Sequence, residues 1–422
     1  MNRLSTLGAL IVGAIILAAV YASAFGDGDG GVNITIDDDE GVRHVVHGDK
    51  GNFALKQDGL DLEASWRGEY ELNEDGDDIS SLEHKLEITR EWQGRDERVV
   101  YEPDGDEVTS VYYLDGDKQD ENPDNAIAKK KLLIAFLEAS GAKAEERVEI
   151  LLKSGGPAAV LEKIDNIYSD HARLRYITEL TQQADLDNGE VQWLLKSLKN
   201  IEGDHDLRVA LDAVLENEEI GADEMPMLLE TASRIESDYD LRRLIESVSE
   251  RDLNDSSISL AIGLMERLES DHDLRRASEA LLEQDGLTSK AAARLLDTIG
   301  DRIDSDHDLR LILSDTAPFL AKDDLAATAW LNAFGALSSD HDQRLTLEEA
   351  AGVNGLSTEI KLALIAASED IGSDHDRRLA LEAFSDMIED DDALREAYIK
   401  AAEGIGSDGD RERALEAAGL DD

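Results

Sequence analysis

The sequence predicts a mainly α-helical α+β protein, in which a small antiparallel β domain precedes a solenoid built from 34-residue helical hairpins. Two observations predict this class. A Ser-Asp-His-Asp motif recurs at a nearly fixed spacing from residue 169 onward, and short segments before residue 120 alternate apolar and polar residues. A fixed period of this size is typical of stacked helical units, whereas a period of two is typical of β-strands.

Composition narrows the possible functions. The 422 residues include 41% apolar residues, enough to bury a sizeable core, and carry a net charge of -54. Such a surface repels phosphate and argues against nucleic-acid binding, while it suits basic partners, cations or high salt. The chain has no cysteine, which excludes thiol nucleophiles, disulfides and cysteine-type zinc sites.

The first 25 residues are predicted to be a signal peptide or a membrane anchor. A short, weakly positive start is followed by an apolar run over residues 7–20, and Ala22-Ser23-Ala24 fits a cleavage site. The apolar stretch can also be extended to about 19 residues, which is enough to span a bilayer. Either alternative predicts an extracytoplasmic protein, in the periplasm or at the cell surface.

An acidic glycine-rich linker at residues 26–31 leads into the predicted β domain at residues 32–120. The alternating segments are residues 32–36, 82–88 and 108–114. Asp-Gly pairs, which tolerate the positive φ of tight hairpin turns, stand at residues 75–76, 104–105 and 115–116. The pattern therefore predicts a small antiparallel sheet or sandwich.

Residues 124–168 are predicted to form the helical N-terminal part of the solenoid. A first helix carries the basic cluster Lys129, Lys130 and Lys131, and two further helices are separated by Gly155-Gly156. The basic cluster either docks on acidic surface nearby or forms a solvated helix face, and the second interpretation is preferred.

The 34-residue repeats are predicted over residues 169–422, as HEAT- or TPR-like helical hairpins. The first aspartates of the eight motifs are Asp170, Asp204, Asp238, Asp271, Asp306, Asp340, Asp374 and Asp408. Each motif opens the first helix of a hairpin. The last repeat, from Ser407, ends after one helix and is predicted to cap the stack.

The motif itself is predicted to start helices. Its serine can act as N-cap, and the second aspartate, three residues later, can reach back to the cap N–H, as in a capping box. The structural caps predicted in this way are Ser237 with Asp240, Ser270 with Asp273, Ser305 with Asp308, and Ser373 with Asp376.

An arginine stands four residues after the first aspartate in six consecutive repeats. These arginines are Arg208, Arg242, Arg275, Arg310, Arg344 and Arg378. Residues four apart share a helix face, so each arginine is predicted to pair with the first aspartate of its own motif. Stacking would align these pairs into an Asp–Arg ladder along one edge.

Six of the nine histidines occupy one motif position, which raises the question of metal binding. The candidate ligands are Asp271, His272, Asp273, Asp306, His307 and Asp308. Helices pack about 10 Å apart, too far for histidines of successive repeats to share an ion, and zinc requires about four ligands. No cofactor is therefore predicted; calcium on the aspartates and a pH-responsive edge are the alternatives.

The sequence contains no H-E-x-x-H, G-x-S-x-G or Walker motif, so the chain is predicted not to be an enzyme. A hydrolase site between the β domain and the helices is the alternative. The histidines outside the motif, namely His44, His47 and His84, would be the residues to inspect.

Three further segments carry a family resemblance. They are residues 111–116 (VYYLDG), residues 141–148 (GAKAEERV), and residues 155–170, which lead from Gly155-Gly156-Pro157 into Tyr168-Ser169-Asp170. Together they resemble the extracytoplasmic extension of BlaR-type bacterial membrane metallopeptidases and their stand-alone relatives, over roughly residues 50–420. The multi-helix membrane domain and its zinc motif have no counterpart in this sequence. The resemblance implies an envelope-facing module and no peptidase activity.

These observations favour a non-catalytic scaffold in the bacterial envelope that binds a protein or peptide, preferably a basic one. A sensory or regulatory partner of a separate membrane metallopeptidase is a second hypothesis, the hydrolase a third, and a salt-adapted spacer a fourth. The N-terminal segment would contact the membrane if it is not cleaved.

Overall fold

The computed structural model describes residues 33–37, 42–47, 50–57, 59–284, 287–388 and 391–420. Side chains are described from residue 50 onward, with the exception of residue 57. Two compact units divide the chain, Met1–Asp206 and Leu207–Asp422. The predicted signal peptide or anchor and the acidic linker lie outside the described residues.

Ten strands are described in the first unit. They are β1 Asn33–Asp37, β2 Val42–His47, β3 Lys50–Gln57, β4 Leu60–Arg67, β5 Tyr70–Leu72, β6 Ile79–Leu82, β7 Lys85–Trp92, β8 Arg95–Asp104, β9 Glu107–Leu114 and β10 Asp117–Lys118. Eight of them form one antiparallel sheet in the order β1-β2-β3-β4-β7-β8-β9-β10, and β5 pairs with β6 as a separate hairpin.

The turns follow the predicted Asp-Gly pairs. Gly105 (φ 67°) connects β8 to β9, and Asp115 (φ 52°) and Gly116 (φ 87°) connect β9 to β10. The strand predicted over residues 82–88 is wrong in its start, because Leu82 ends β6 and β7 begins only at Lys85. A bend at residues 83–84 lets the chain pass from the small hairpin back into the large sheet.

One face of the large sheet is covered by helix α1 (Pro123–Ser140). Phe136 of this helix lies 5.8 Å, centroid to centroid, from Phe53 of β3 and 5.9 Å from Trp66 of β4. Phe53 and Phe136 are buried together with Leu86, Ile88 and other aliphatic residues in one continuous core. Burial of each large apolar side chain contributes roughly 1.5–3 kcal/mol, and this core holds the sheet and the helix together.

The remaining helices of the first unit continue from α1. They are α2 Ala144–Asn166, α3 Asp170–Gln183, α4 Asn188–Ser197 and α5 Asp204–Asn217, the last of which runs into the second unit. Gly156 interrupts α2 with φ 69° and ψ −168°, directly before Pro157. The two helices predicted on either side of Gly155-Gly156 are therefore the two segments of α2 that the non-helical Gly156 separates, and Pro157, which lacks an N–H, stands in the first turn of the second segment.

Twelve further helices are described in the second unit. They are α6 Glu224–Ala232, α7 Asp238–Ser249, α8 Asp255–Met265, α9 Asp271–Leu282, α10 Ser289–Arg302, α11 Asp306–Thr316, α12 Asp324–Phe334, α13 Asp340–Ala351, α14 Thr358–Ala367, α15 Asp374–Glu382, α16 Asp392–Glu403 and α17 Asp408–Ala417. The odd-numbered helices from α7 to α17 pack on one another in sequence, and the even-numbered helices from α6 to α16 do the same.

Regularly placed apolar residues explain this stacking. Three residues before each first aspartate lies a buried aliphatic side chain, at most 4% exposed: Ile235, Leu268, Ile303, Leu337, Ile371 and Ile405. Seven residues after the first aspartate, Ile245, Leu313 and Leu381 are also buried. The small Ser278 fits at this position because its Oγ donates to the carbonyl of Leu274 (2.8 Å). The predicted α+β class, mainly α with a repeated helical arrangement, is confirmed.

Within the described ranges, helix length and apolar content fall short of what a bilayer crossing requires.

Candidate functional site: the motif edge

The candidate site is the row of Ser-Asp-His-Asp motifs at the start of the first helices, called here the motif edge. The serine of each motif caps a helix. In α9, Ser270 Oγ accepts from the backbone N–H of Asp273 at 3.3 Å, and in α11 Ser305 Oγ accepts from that of Asp308 at 3.3 Å. The same bond is made by Ser237, Ser339, Ser373 and Ser407. These serines therefore lie where the sequence places helix caps.

The second aspartate of each motif binds the arginine of the preceding repeat. Arg242 Nε donates to Asp273 Oδ1 at 2.6 Å, and Arg344 Nε donates to Asp376 Oδ1 at 2.9 Å. The equivalent pairs are Arg208–Asp240, Arg275–Asp308, Arg310–Asp342 and Arg378–Asp410, at 2.7–3.0 Å. We call these six pairs the inter-repeat ladder. It extends through six successive junctions between repeats.

The sequence prediction was wrong about the partners in this ladder. Each arginine was expected to pair with the first aspartate of its own motif, and the second aspartate was expected to close a capping box. Instead, the guanidinium points toward the next repeat and toward the C-terminal end of its own helix, where Arg344 Nη1 donates to Glu348 at 2.6 Å. Stacking places the first helical turn of the next repeat within hydrogen-bonding distance of the arginine Nε. The i, i+4 rule considers only residues of a single helix and therefore does not include this partner.

The first aspartate has a different role from the one predicted. Its carboxylate accepts backbone N–H groups of the loop that precedes the next motif. Asp238 Oδ2 accepts from Glu269 (2.9 Å) and Ser270 (2.7 Å), and Asp271 Oδ2 accepts from Ser305 (2.8 Å). Equivalent bonds run from Ser338 to Asp306, from Gly372 to Asp340, and from Gly406 to Asp374. The N–H groups of Ser270 and Ser305 donate to the first aspartate of the preceding repeat. The second aspartate of their own motif therefore does not accept from them and binds arginine instead.

The third motif position is exposed and contacts the same arginine. His341 Nδ1 lies 3.1 Å from Arg344 Nη2, and His272, His307 and His375 make the equivalent contact at 3.2–3.3 Å. Where tyrosine replaces histidine, Arg242 lies over the ring of Tyr239, with Cζ 5.1 Å from the centroid. These five arginines thus bridge a carboxylate of the next repeat and a ring of their own repeat.

The ladder lowers the pKa of the carboxyl groups of Asp308 and Asp376. Burial alone would raise the pKa of Asp308, but hydrogen bonds from Ser305 and Arg275 outweigh it and hold that pKa below its usual value. Burial would also raise the pKa of Asp376, but hydrogen bonds from Ser373 and Arg344 outweigh that effect, and the pKa of Asp376 is lowered as well. Both side chains are therefore charged acceptors at neutral pH. Hydrogen bonds to charged groups contribute about 1.5–3 kcal/mol each.

The candidate metal ligands are all engaged by donors in the structure. Asp271 accepts from Ser305 N, Asp273 accepts from Arg242, and Asp308 accepts from Arg275. Asp306 accepts from the N–H and the hydroxyl of Ser338, at 2.7 and 2.8 Å. His272 and His307 face Arg275 and Arg310. Across the described residues, no three acidic or histidine side chains converge as metal ligands would. Calcium binding stays a prediction.

Sequence reasoning missed two buried arginines in the first unit. Arg147 donates through Nε to the Tyr176 hydroxyl (2.6 Å) and through Nη1 to the carbonyl of Gly76 (2.9 Å), which ties α2 to α3 and to the β5–β6 turn. Arg173 binds Asp170 at 2.5 Å, one position earlier than the ladder arginines. No local pattern marks Arg147, whereas the i, i+3 spacing of Asp170 and Arg173 was visible.

Of the three histidines outside the motif, the structure describes the side chain of one, His84. His44 and His47 belong to β2, whose side chains are outside the description, and His84 lies in the bend before β7.

Comparisons with known proteins do not identify a family for this chain. No family model matches the chain, and no curated protein matches it. A solved structure described as "Computational Design of Self-Assembling Cyclic Protein Homooligomers" is similar at 17% identity, covering 66% of this chain and 92% of that chain, with a TM-score of 0.13. A superposition this poor supports no conclusion about fold or function.

Proposed function

We propose that the protein is a non-catalytic scaffold of helical repeats, exported or membrane-anchored, whose motif edge binds a basic protein or peptide. One observation carries the proposal: an exposed acidic side chain stands at the same position beside the motif in three successive repeats of a stack whose members are fastened to each other. Repeat arrays of this kind offer extended binding surfaces. The recurring Asp–Arg pairs are engaged in joining successive repeats, so binding is assigned to the exposed side chains beside them.

The exposed side chains beside the motif are acidic in three successive repeats of the second unit. Glu236, Glu269 and Asp304 lie two residues before the first aspartate of their motifs, and all three are exposed. With a net charge of -54 on the chain, a cationic segment is the partner that gains most from long-range attraction. Its positive groups would meet one carboxylate per repeat, at intervals of about 10 Å.

A binding measurement with peptides of opposite charge tests this proposal. The full chain, with residues 1–25 removed, is titrated with a fluorescent lysine decamer and a glutamate decamer at 50 mM salt. We expect saturable binding of the lysine decamer that weakens as salt is raised, since counter-ions screen exposed charges. We expect no binding of the glutamate decamer.

Charge-reversal variants locate the surface. Replacing Glu236, Glu269 and Asp304 by lysine should weaken lysine-decamer binding at least tenfold, about 1.4 kcal/mol. The matched control replaces Asp297, Glu359 and Glu396, which are exposed on the second helices α10, α14 and α16. Equal weakening by both triple variants would show diffuse attraction to an acidic protein and would contradict docking at the motif edge.

Export is a part of the proposal that rests on the sequence of residues 1–25. Fractionation of cells that produce the full chain, followed by N-terminal sequencing, separates the two alternatives. A mature chain beginning near Phe25 indicates cleavage, and an intact chain in the membrane fraction indicates an anchor. An intact chain in the cytoplasm contradicts both.

A further inference from the structure

The residue that directly follows the ladder arginine changes character along the stack. In α7 and α9 it is an exposed arginine, Arg243 or Arg276, whose guanidinium donates to a glutamate three residues later at 3.1 or 2.7 Å. In the next three first helices, α11, α13 and α15, it is a half-buried leucine: Leu311, Leu345 and Leu379. We call these three side chains the leucine row.

The leucine row crosses three helices that pack directly on one another. Helix α11 packs on α13, and α13 packs on α15. Packed helices lie about 8–10 Å apart, so leucines at the same repeat position recur at about that interval. Exposed arginines stand at the equivalent position beyond each end of the row, Arg276 in α9 and Arg413 in α17. The row is therefore an apolar strip of three repeats between two cationic ends.

Carboxylates accompany the leucines on the same helix face. Asp315 and Glu349 lie four residues after Leu311 and Leu345, and both are exposed. Residues four apart on a helix are neighbours on its surface, so a partner that covers these leucines also meets the carboxylates. A cationic side chain is the complementary neighbour there, and the net charge of -54 attracts such a partner from a distance.

The interval between the leucines selects the secondary structure of the partner. In an α-helix, residues seven apart lie on nearly the same face and about 10.5 Å apart along the axis. In an extended strand, residues three apart are also separated by about 10 Å, but their side chains point to opposite faces. Only the helix presents a side chain to each leucine in turn.

We propose that the leucine row docks a cationic amphipathic α-helix of a partner protein. Apolar side chains at every seventh position of that helix contact Leu311, Leu345 and Leu379, and lysine or arginine side chains beside them bind Asp315 and Glu349. This docking deepens the scaffold function proposed above and rests on it for the charge of the partner. The arginines at both ends of the row repel further cationic turns and limit the contact to three repeats.

Three fluorescent peptides of about 21 residues test the leucine row. The first contains lysine and alanine with three leucines seven apart. The second has the same composition with leucines six apart, which point in different directions around the helix, and the third replaces lysine of the first by glutamate. The first peptide should bind the full chain at least about tenfold more tightly than the second, and the third should not bind. Equal affinity of the first two would overturn docking on the row, and binding of the third would overturn the cationic partner.

Arginine substitutions locate the site without a foreign side chain, since α7 and α9 already carry arginine at this position. The row variant combines Leu311→Arg, Leu345→Arg and Leu379→Arg. The matched control, with the same change in net charge at half-buried or exposed apolar positions outside the row, combines Val209→Arg, Leu260→Arg and Leu325→Arg.

The row variant should bind the first peptide at least about tenfold more weakly than the wild type, and the control should stay within about threefold. A third variant with glutamine at the three row positions leaves the net charge unchanged and should lose the preference for leucines seven apart. Urea midpoints show whether each variant is folded. Equal weakening in the row variant and the control, or an unchanged preference in the glutamine variant, would overturn the site.

The lysine decamer separates this site from the scaffold function. A decamer that binds while the two leucine peptides bind equally well would overturn the leucine row and leave the scaffold proposal intact. Failure of the decamer and of all three peptides to bind would contradict the scaffold proposal and the leucine row together.

Discussion

At the scale of single residues, one arginine side chain binds partners in two repeats. Arg344 uses Nε for Asp376 of the next repeat, Nη1 for Glu348, and Nη2 for His341. Its side chain is 14% exposed, which limits screening by solvent. A planar guanidinium can hold three partners at fixed directions, and a lysine ammonium, a point charge on a flexible stem, cannot.

Acidification should weaken the ladder in a predictable pH range. Asp308 and Asp376 have pKa values lowered by folding, because the bonds from serine and arginine outweigh the effect of burial. A carboxyl with a lowered folded-state pKa adds stability above its unfolded pKa of about 3.9, and this stability is lost as pH falls through the folded value. Urea unfolding at pH 7 and pH 3 should show a marked loss for the wild type.

Asparagine substitutions identify the source of that loss. The double variant Asp308→Asn, Asp376→Asn should lose about 2 kcal/mol or more at pH 7 and show a smaller further loss at pH 3. The control Asp297→Asn, Glu359→Gln, at exposed positions, should keep the wild-type pH dependence. An unchanged pH dependence in the ladder variant would contradict the pKa assignment.

The sequence identified the ladder residues but not their pairing. Once the helices stack, Arg344 has two kinds of neighbour. One lies four positions along the same helix, as Glu348 does, and the other lies 32 positions along the chain, as Asp376 does. Only the stacking geometry decides between them. The spacing rule for isolated helices considers the first kind of neighbour alone, which explains the wrong pairing with the first aspartate. The contact of His341 with Arg344 is an i, i+3 pair on one helix, which the spacing rule does cover.

At the scale of helices and strands, local rules performed well where a terminus is marked by a specific side chain. Ser305 caps α11 and Thr288 caps α10, each accepting from a backbone N–H at 3.3 Å. Local rules failed at residues 82–88, where alternation continued across a bend. Period-two patterning identifies the buried face of a strand but does not indicate that the chain changes sheets, since both segments bury the same kind of residue.

Removal of a motif cap should destabilise the protein measurably. Ser305→Ala deprives the first turn of α11 of its acceptor, with an expected loss of about 1 kcal/mol in the free energy of urea unfolding. Ser305→Gly should lose only a few tenths, because glycine is tolerated at this position. Ser256→Ala, exposed in the first turn of α8, serves as control and should change stability by less than 0.5 kcal/mol. A loss at Ser256 equal to that at Ser305 would argue against capping.

At the scale of the whole molecule, net charge and the ladder oppose each other. The 96 acidic and 42 basic residues give a net charge of -54, so the excess carboxylates repel one another. The arginines of the ladder offset this repulsion locally. Salt reduces both effects, but exposed charges are screened more strongly than half-buried pairs. Repulsion should therefore decline faster than the ladder weakens.

Stability should consequently rise with salt. We expect the urea midpoint at pH 7 to increase between 10 mM and 1 M NaCl, where the Debye length shortens from about 30 Å to 3 Å. Sodium perchlorate at matched ionic strength controls for ion-specific effects. A midpoint that falls with salt would show that the ladder dominates the electrostatic free energy and would weaken salt adaptation as the reason for the acidity.

The fastening between repeats has a consequence for how such a chain can change in length. The Asp238-to-Ser270 bond and the Arg242-to-Asp273 bond join only one repeat to the next. Each of these repeats carries the arginine that its successor needs and the second aspartate that its predecessor needs, so a complete unit inserted anywhere along the ladder would find matching neighbours on both sides. Spacings of 33 and 35 residues between Asp238, Asp271 and Asp306 are already accommodated. The number of repeats is thus free to vary by duplication or loss of whole units, whereas the motif inside each unit is not.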